Sequence, residues 1–395
     1  MNFSYTKIGD IAEVTKLAGF EFTKYIEYVE DGEIIALRAL NLRNGELDLT
    51  DVKRIRRDVS DTLKRSKLFK NDILLTYTGN GYGDCAYIEE NDKYHLAPNI
   101  CKLSPDETKV DPYYLYAVIR DKYFRELMKN YIGGSSQPTI PMKTIRILEI
   151  PLPDLSIQKK IGGVIRVLDE KCRNNRKINE NLLQQAHNIF AKEFLMLDTI
   201  PNGWQESSLL GIADYLNGLA MQKYRPKGDE QGLPVLKIKE LRQGSCDSNS
   251  ELCSPSIKPE YIVHDGDVIF SWSGSLLVDL WCGGTCGLNQ HLFKVTSSTY
   301  DKWFYYAWTN HYLQKFVAIA ADMATTMGHI KRKELEKAKV LIPSKSDYNR
   351  IGSLLAPLYD LVVTNRVENR KLSALRDELL PQFMSGQLDV SEVSL

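Results

Sequence analysis

From Ile157 onward the apolar positions run Ile157, Ile161, Val164, Leu168 and Cys172, then Asn175 and Asn179, then Leu182, Ala186 and Ile189. A second series runs Ile351, Leu355, Leu358 and Val362, then Asn365 and Asn369, then Leu372, Arg376, Leu379 and Phe383. Steps of three and four alternate in both, which is the spacing of a heptad seam. The pattern predicts two long helices packed antiparallel, coiled-coil-like, with the pairs Asn175/Asn179 and Asn365/Asn369 meeting near the middle. Asparagine at a seam fixes register and orientation at some cost in stability. Two unrelated amphipathic helices with polar patches is the competing reading. Pro357 predicts a kink or a helix start, and Gly162 and Gly163 weaken the first helix near its beginning.

The two series belong to a larger repeat. Pro153–Gly162 aligns with Pro343–Gly352 without a gap, and Asn175-Arg176 aligns with Asn365-Arg366, a spacing of 190 residues. Looser matches precede them. Leu37–Gly45 aligns with Leu236–Gly244, and Asp72–Gly79 with Asp267–Gly274. Each of these reads as a β-rich run followed by a turn. The period is too long for a solenoid and marks a duplicated domain pair. The expected class is mixed α+β: strand-rich domains at 1–150 and 198–343, helical regions at 151–197 and 344–395, and an internal pseudo-twofold. All five Trp fall in the second half, so the strand-rich domains have diverged while the helices kept their pattern.

Composition narrows the class. The 395 residues carry 51 Lys plus Arg against 51 Asp plus Glu. A zero balance argues against a simple basic nucleic-acid coat but allows a basic face. Seven Cys is an odd number in a chain of this size and reads as reduced thiols in a cytoplasm. The opening Met1–Tyr5 lacks the basic cap and apolar run of a signal peptide, and no stretch has the length of a membrane helix.

Motifs for catalysis are weak. Gly79–Gly83 has glycines at the wrong spacing for a dinucleotide loop and is followed by strand-like sequence. The carboxylates of Pro105–Lys109 are adjacent and cannot converge on a metal. Cys246, Cys253, Cys282 and Cys286 have unusual spacing for zinc. Basic clusters stand at 53–57, 64–67 and 331–333; each fits phosphate contact or a solvated face.

Family resemblance enters at several phrases. Ile150–Pro153 leading into Gln158–Ile161, the stretch Leu375–Asp389, Gly287–Lys294 and Thr325–Ile330 resemble conserved phrases of type I restriction-modification specificity subunits. Departures are Ala97-Pro98-Asn99-Ile100 against Asn289-Gln290-His291-Leu292, and Leu341–Ser344, which lacks the Pro-x-Pro of the first repeat. The resemblance implies two target-recognition domains, each reading one half of a split site on double-stranded DNA. It implies methyltransferase (M) subunits, two of them, and restriction (R) subunits as partners, and a non-catalytic chain. S-adenosylmethionine would belong to the M subunit and ATP with Mg to the R subunit, with no cofactor or metal here. Helices of about 40 residues, roughly 60 Å long, would space the two heads. Expected DNA contacts are Lys53, Arg54, Arg56, Thr78, Asn80, Tyr82, Gln137 and Lys143 in the first domain. In the second they are Ser273, Ser275, Thr325, Thr326, His329 and Lys331. Arg173, Arg176 and Lys177 on the first helix fit a solvated face or an M-subunit contact. Three rivals stay open: a specificity subunit whose partner fuses methyltransferase and nuclease, a nucleotide-dependent enzyme using Gly79–Gly83, and a structural protein whose helices bind only protein.

Overall fold

The structure is a computed structural model that describes residues 4–79, 81–131, 138–322 and 329–390. The chain divides into two units. One comprises residues 1–170 with 373–395, the other residues 171–372.

In the first unit a four-stranded sheet runs in the order Ala12–Lys16, Ile100–Pro105, Ile73–Thr76, Cys85–Tyr87. Its central strand, Ile-Leu-Leu-Thr, is buried throughout. Alternate side chains of a strand leave on opposite faces. Ile73 and Leu75 therefore join the cluster that includes the helix Pro112–Arg120, while Leu74 joins a second cluster with Leu37, Leu68 and Leu96. A three-stranded sheet, Lys53–Ile55, Ile34–Leu37, Tyr94–Leu96, covers that second face. The strand Ser4–Lys7 pairs antiparallel with Glu149–Leu152 and closes the domain where the helical region begins.

The second unit repeats the plan. Its four-stranded sheet runs Asp214–Asn217, Leu292–Thr296, Val268–Ser271, Leu277–Leu280, and Gln205–Ser208 pairs with Lys339–Ile342. Val268 and Phe270 face the helix Lys302–Asp322, and Ile269 faces the cluster around Trp281. The strand-then-turn reading matches Asp72–Gly79 and Asp267–Gly274 but not the other aligned pair, where strands ending at Leu37 and Leu236 lead into the helical turns Ala39–Asn41 and Ile238–Gln243.

The long helices are Leu155–Phe190 and Lys345–Ser385. Each is joined to its own domain by the same device. Gln158 Oε1 accepts the Asp111 backbone N–H at 2.9 Å, and the Tyr348 hydroxyl, at the corresponding place, accepts that of Asp301 at 2.8 Å. One turn on, glycine allows close approach. A Cβ on Gly162 would lie 2.5 Å from Asp111 Oδ1 and 3.0 Å from Tyr114 N; one on Gly352 would lie 2.9 Å from Trp303 Nε1. Asp111 cannot yield freely, because its Oδ1 caps Tyr114 N at 2.8 Å. Gly162→Ala is expected to cost about 1–3 kcal/mol by overpacking despite the better helix propensity of alanine, read as a lowered denaturant midpoint.

Within the second unit the helices run antiparallel, and the asparagines pair across them. Asn175 Nδ2 donates to Asn369 Oδ1 and Asn365 Nδ2 to Asn179 Oδ1, both at 2.8 Å. The remaining amides reach backbone: Asn369 Nδ2 donates to Cys172 O at 3.1 Å and Asn179 Nδ2 to Val362 O at 3.4 Å. A shift of 190 residues exchanges the members of each set, so the helix pair has a local twofold in its hydrogen bonds.

Two sequence expectations need correction. No helix starts at Pro357; the helix is continuous through it. Pro357 and Ser353 are exposed, so the Ser353 carbonyl that loses its helical donor can turn to water. The buried stripe also departs from the strict heptad. Asp169 rather than Leu168, and Phe190 rather than Ile189, are the buried members. A 3.6-residue turn drifts against a seven-residue repeat, and each helix also packs on a domain core, so its buried stripe is wider than a two-helix seam.

Candidate functional site

The turns that follow the two central strands are built alike. In the first unit Tyr77 N donates to Asn99 O at 3.1 Å, Ile140 N donates to Tyr77 O at 2.9 Å, and Thr78 forms a bridge with Thr139. In the second unit Trp272 N donates to His291 O at 3.4 Å, Ile330 N to Trp272 O at 2.8 Å, and Ser273 forms a bridge with His329. Three chain segments thus converge at one edge of each sheet: the central strand's end, the turn entering the neighbouring strand, and the stretch before a short helix. A fourth segment ends beside them, because Lys16 pairs with Cys101 and Asn217 with Phe293 in the adjoining strand.

The side chains on this frame are polar and differ between the units. In the first, the exposed Lys16 ammonium stands 5.2 Å from the centre of the Tyr77 ring. Asn99 is exposed in the left-handed region with φ 74°, which asparagine tolerates better than most residues. In the second, Trp272 Nε1 donates to Asn217 Oδ1 at 3.0 Å. Ser273 Oγ lies 3.1 Å from His291 Nδ1, and Gln290 Nε2 lies 3.3 Å from His291 Nε2. The rings of Trp272 and His329 stand edge to face at 6.1 Å.

Of the residues singled out from sequence, Thr78, Ser273 and His329 meet on this frame. Lys331 is exposed immediately before the helix Arg332–Lys337, and Lys143 is exposed on the helix Met142–Ile147, each just beyond the bridge of its unit. Ser275 is exposed in the turn, where its carbonyl accepts from Ser271 Oγ at 2.9 Å. Tyr82 is half-buried against the first core, with its N–H bonded to Gly79 O. Asn80, Gln137, Thr325 and Thr326 lie outside the described residues.

The basic cluster behaves differently. Lys53, Arg54 and Arg56 belong to the edge strand Lys53–Ile55 of the three-stranded sheet and its exit, not to the turn. Arg54 Nη1 donates to Gly32 O at 3.2 Å, and Arg56 lies 3.8 Å from Asp58. Lys67 pairs with Asp61 at 2.8 Å and Asp92 at 2.7 Å. Lys67 is thus ion-paired within the domain, and Arg56 more loosely.

Gly79–Gly83 joins two antiparallel strands, Ile73–Thr76 and Cys85–Tyr87. A phosphate cradle needs a helix N-terminus after the glycines, and here a strand follows. The seven cysteines are free thiols. Among the described residues no group of three or more His, Cys, Asp or Glu could hold a metal, and no helix is long and apolar enough to cross a membrane.

Sequence reasoning missed Lys16, Asn217, Trp272, Gln290 and His291 as members of the frame. The signal was present for some of them: Asn289-Gln290-His291 was the point where the aligned repeats departed. Lys16 and Asn217 sit at strand ends with no local mark, and only the strand register brings them in.

Comparison with known proteins agrees with this architecture. The crystal structure of a type I restriction-modification system S subunit from M. genitalium superposes with a TM-score of 0.58 at 15% identity, over 97% of this chain and 96% of that one. The type I restriction enzyme MjaIX specificity subunit of Methanocaldococcus jannaschii is 26% identical over 303 residues, 71% of this chain and 70% of that protein. The putative MjaX specificity subunit of the same organism is 22% identical over 98% of this chain and 97% of its own length. Residues 2–184 and 201–374 each match the type I restriction modification DNA specificity domain, and the chain, which carries that domain twice, belongs to this family.

Proposed function

We propose that the chain reads a split sequence in double-stranded DNA, one half per domain, and scaffolds the M and R subunits of a type I restriction-modification complex. The observation that carries this reading is the repeated turn frame: one backbone, used twice, bearing two sets of polar side chains. Such a pair suits two different half-sites better than one shared ligand. Chemistry is left to the partners: S-adenosylmethionine in the M subunits, two of which would dock, and ATP with Mg in the R subunits. The chain would act in the cytoplasm, where DNA and these partners are.

Adenine methylation mapped across a host genome, with this gene and its neighbouring methyltransferase gene together and apart, tests the proposal. A split motif that needs both genes is expected. Exchanging residues 198–343 for those of a relative should then change one half of the motif and leave the other half intact. Methylation without this chain, or at one short continuous site, would overturn the reading. If the partner gene encodes a fused methyltransferase and nuclease, the scaffold role shifts to that system.

A further inference from the structure

It rests on the DNA-reading function proposed above, and it concerns which side chains write the two half-sites. The two units hold the same backbone at the turn, fixed by matching hydrogen bonds from Tyr77 and Trp272 and by the bridges Thr78–Thr139 and Ser273–His329. Strand register then places Lys16 in the first unit where the second has Asn217, each exposed at the end of the strand beside the turn. Each is set against the aromatic residue that opens the turn, Lys16 over the ring of Tyr77 and Asn217 on the indole N–H of Trp272.

These two residues differ in the way that matters for base edges. A lysine ammonium offers three donors and no acceptor. In the major groove that matches the paired acceptors O6 and N7 of guanine. An asparagine amide offers donors and an acceptor side by side, which matches N6 and N7 of adenine. Trp272 orients the amide: its N–H occupies one lone pair of Asn217 Oδ1, and among the described residues the other lone pair and the Nδ2 hydrogens stay available to a ligand. We propose that Lys16 and Asn217 are paired specificity-determining residues, Lys16 contacting a guanine in one half-site and Asn217 an adenine in the other, with Tyr77 and Trp272 as positioning residues.

The test is methylation mapping of the complex in cells carrying the neighbouring methyltransferase gene, with wild type, Lys16→Ala, Lys16→Arg, Asn217→Ala and Trp272→Phe. Wild type should give a split motif. Lys16→Ala should relax one position of one half, losing about five- to 150-fold discrimination there, and Lys16→Arg should keep the guanine. Asn217→Ala should relax one position of the other half only, and Trp272→Phe should weaken the same position. The intact half of each motif reports that the chain is folded, and thermal melting of the purified complexes checks it separately. A split motif left unchanged by Lys16→Ala and Asn217→Ala, or methylation lowered evenly at all sites, overturns this inference while the proposed function stands; even lowering would mark phosphate contact. Absence of a split motif in wild type overturns both.

Discussion

Asp169→Ala is expected to destabilise the first unit by about 3–5 kcal/mol, the cost of leaving the buried Arg120 without its counter-charge. Asp169 is only 5% exposed. Its Oδ2 accepts from Arg120 Nη2 at 2.8 Å and from the Tyr113 hydroxyl at 2.9 Å, and its Oδ1 accepts from Arg376 Nη1 at 3.0 Å. Arg120 is further tied to the Tyr116 hydroxyl, which donates to Gly45 O. Removing the carboxylate strands the Arg120 guanidinium, while Arg376 keeps Asp377 at 2.7 Å. Replacing Asp169, Arg120 and Arg376 together by apolar residues of similar volume should recover most of the loss, because the whole group then needs no solvation. Denaturant midpoints of the single and triple variants check this; a single-variant loss below about 1 kcal/mol would refute the buried-network account. The pH dependence follows from the same contacts. Burial pushes the Asp169 carboxyl up, but Arg120 and Arg376 outweigh it and hold the group below the usual carboxylate range. A depressed carboxylate stabilises above its unfolded value of about 3.9 and loses that contribution as the pH falls through the folded value. Wild type should therefore lose this contribution only in acid, and Asp169→Asn should flatten that part of the profile.

Asn179→Ala is expected to cost about 1–3 kcal/mol, because Asn365 Nδ2 loses its acceptor at a position that is 8% exposed. The double change Asn179→Leu with Asn365→Leu should be close to neutral in stability or better, since both partners become apolar. Its cost should fall on uniqueness instead. Asparagine across a helix seam penalises other registers, so the double variant is expected to show broadened amide resonances for the helix pair, measured with the melting curve in one preparation. A double variant that loses as much stability as the single would show that the amide pair contributes directly.

The sequence was most legible where a periodic signal repeats. The helices were readable from the three-and-four spacing of Ile161, Cys172, Ile351 and Val362, and the central strands from the runs at 73–76 and 268–271. Asp169 and Arg376 were opaque, because a charge at a seam position reads as a break in the pattern until its partner is seen 207 residues away. Basic runs were ambiguous for a different reason, since the same residues fit phosphate contact or a solvated face. Arg54, Arg56 and Lys67 look like a phosphate patch in sequence, while the fold places Gly32 O, Asp58, Asp61 and Asp92 against them. The turn frame was half legible: Thr78 and Ser273 carry the mark of a strand end, but Lys16 and Asn217 arrive only through register.

Leu380, Phe383 and Val390 complete the core that also holds Ile8, Ile73 and Tyr114. A ribosome makes those closing residues after the whole of the second unit. At about 5–20 residues per second, the roughly 200 residues between Glu170 and Ser373 take on the order of 10–40 s to synthesise. Through that interval the first domain is out of the exit tunnel with part of its apolar surface uncovered and with Arg376, one of the two arginines that hold Asp169, still missing. The nascent first half should therefore engage a chaperone until the second long helix emerges, and release from it should coincide with that emergence rather than with synthesis of residues 1–170.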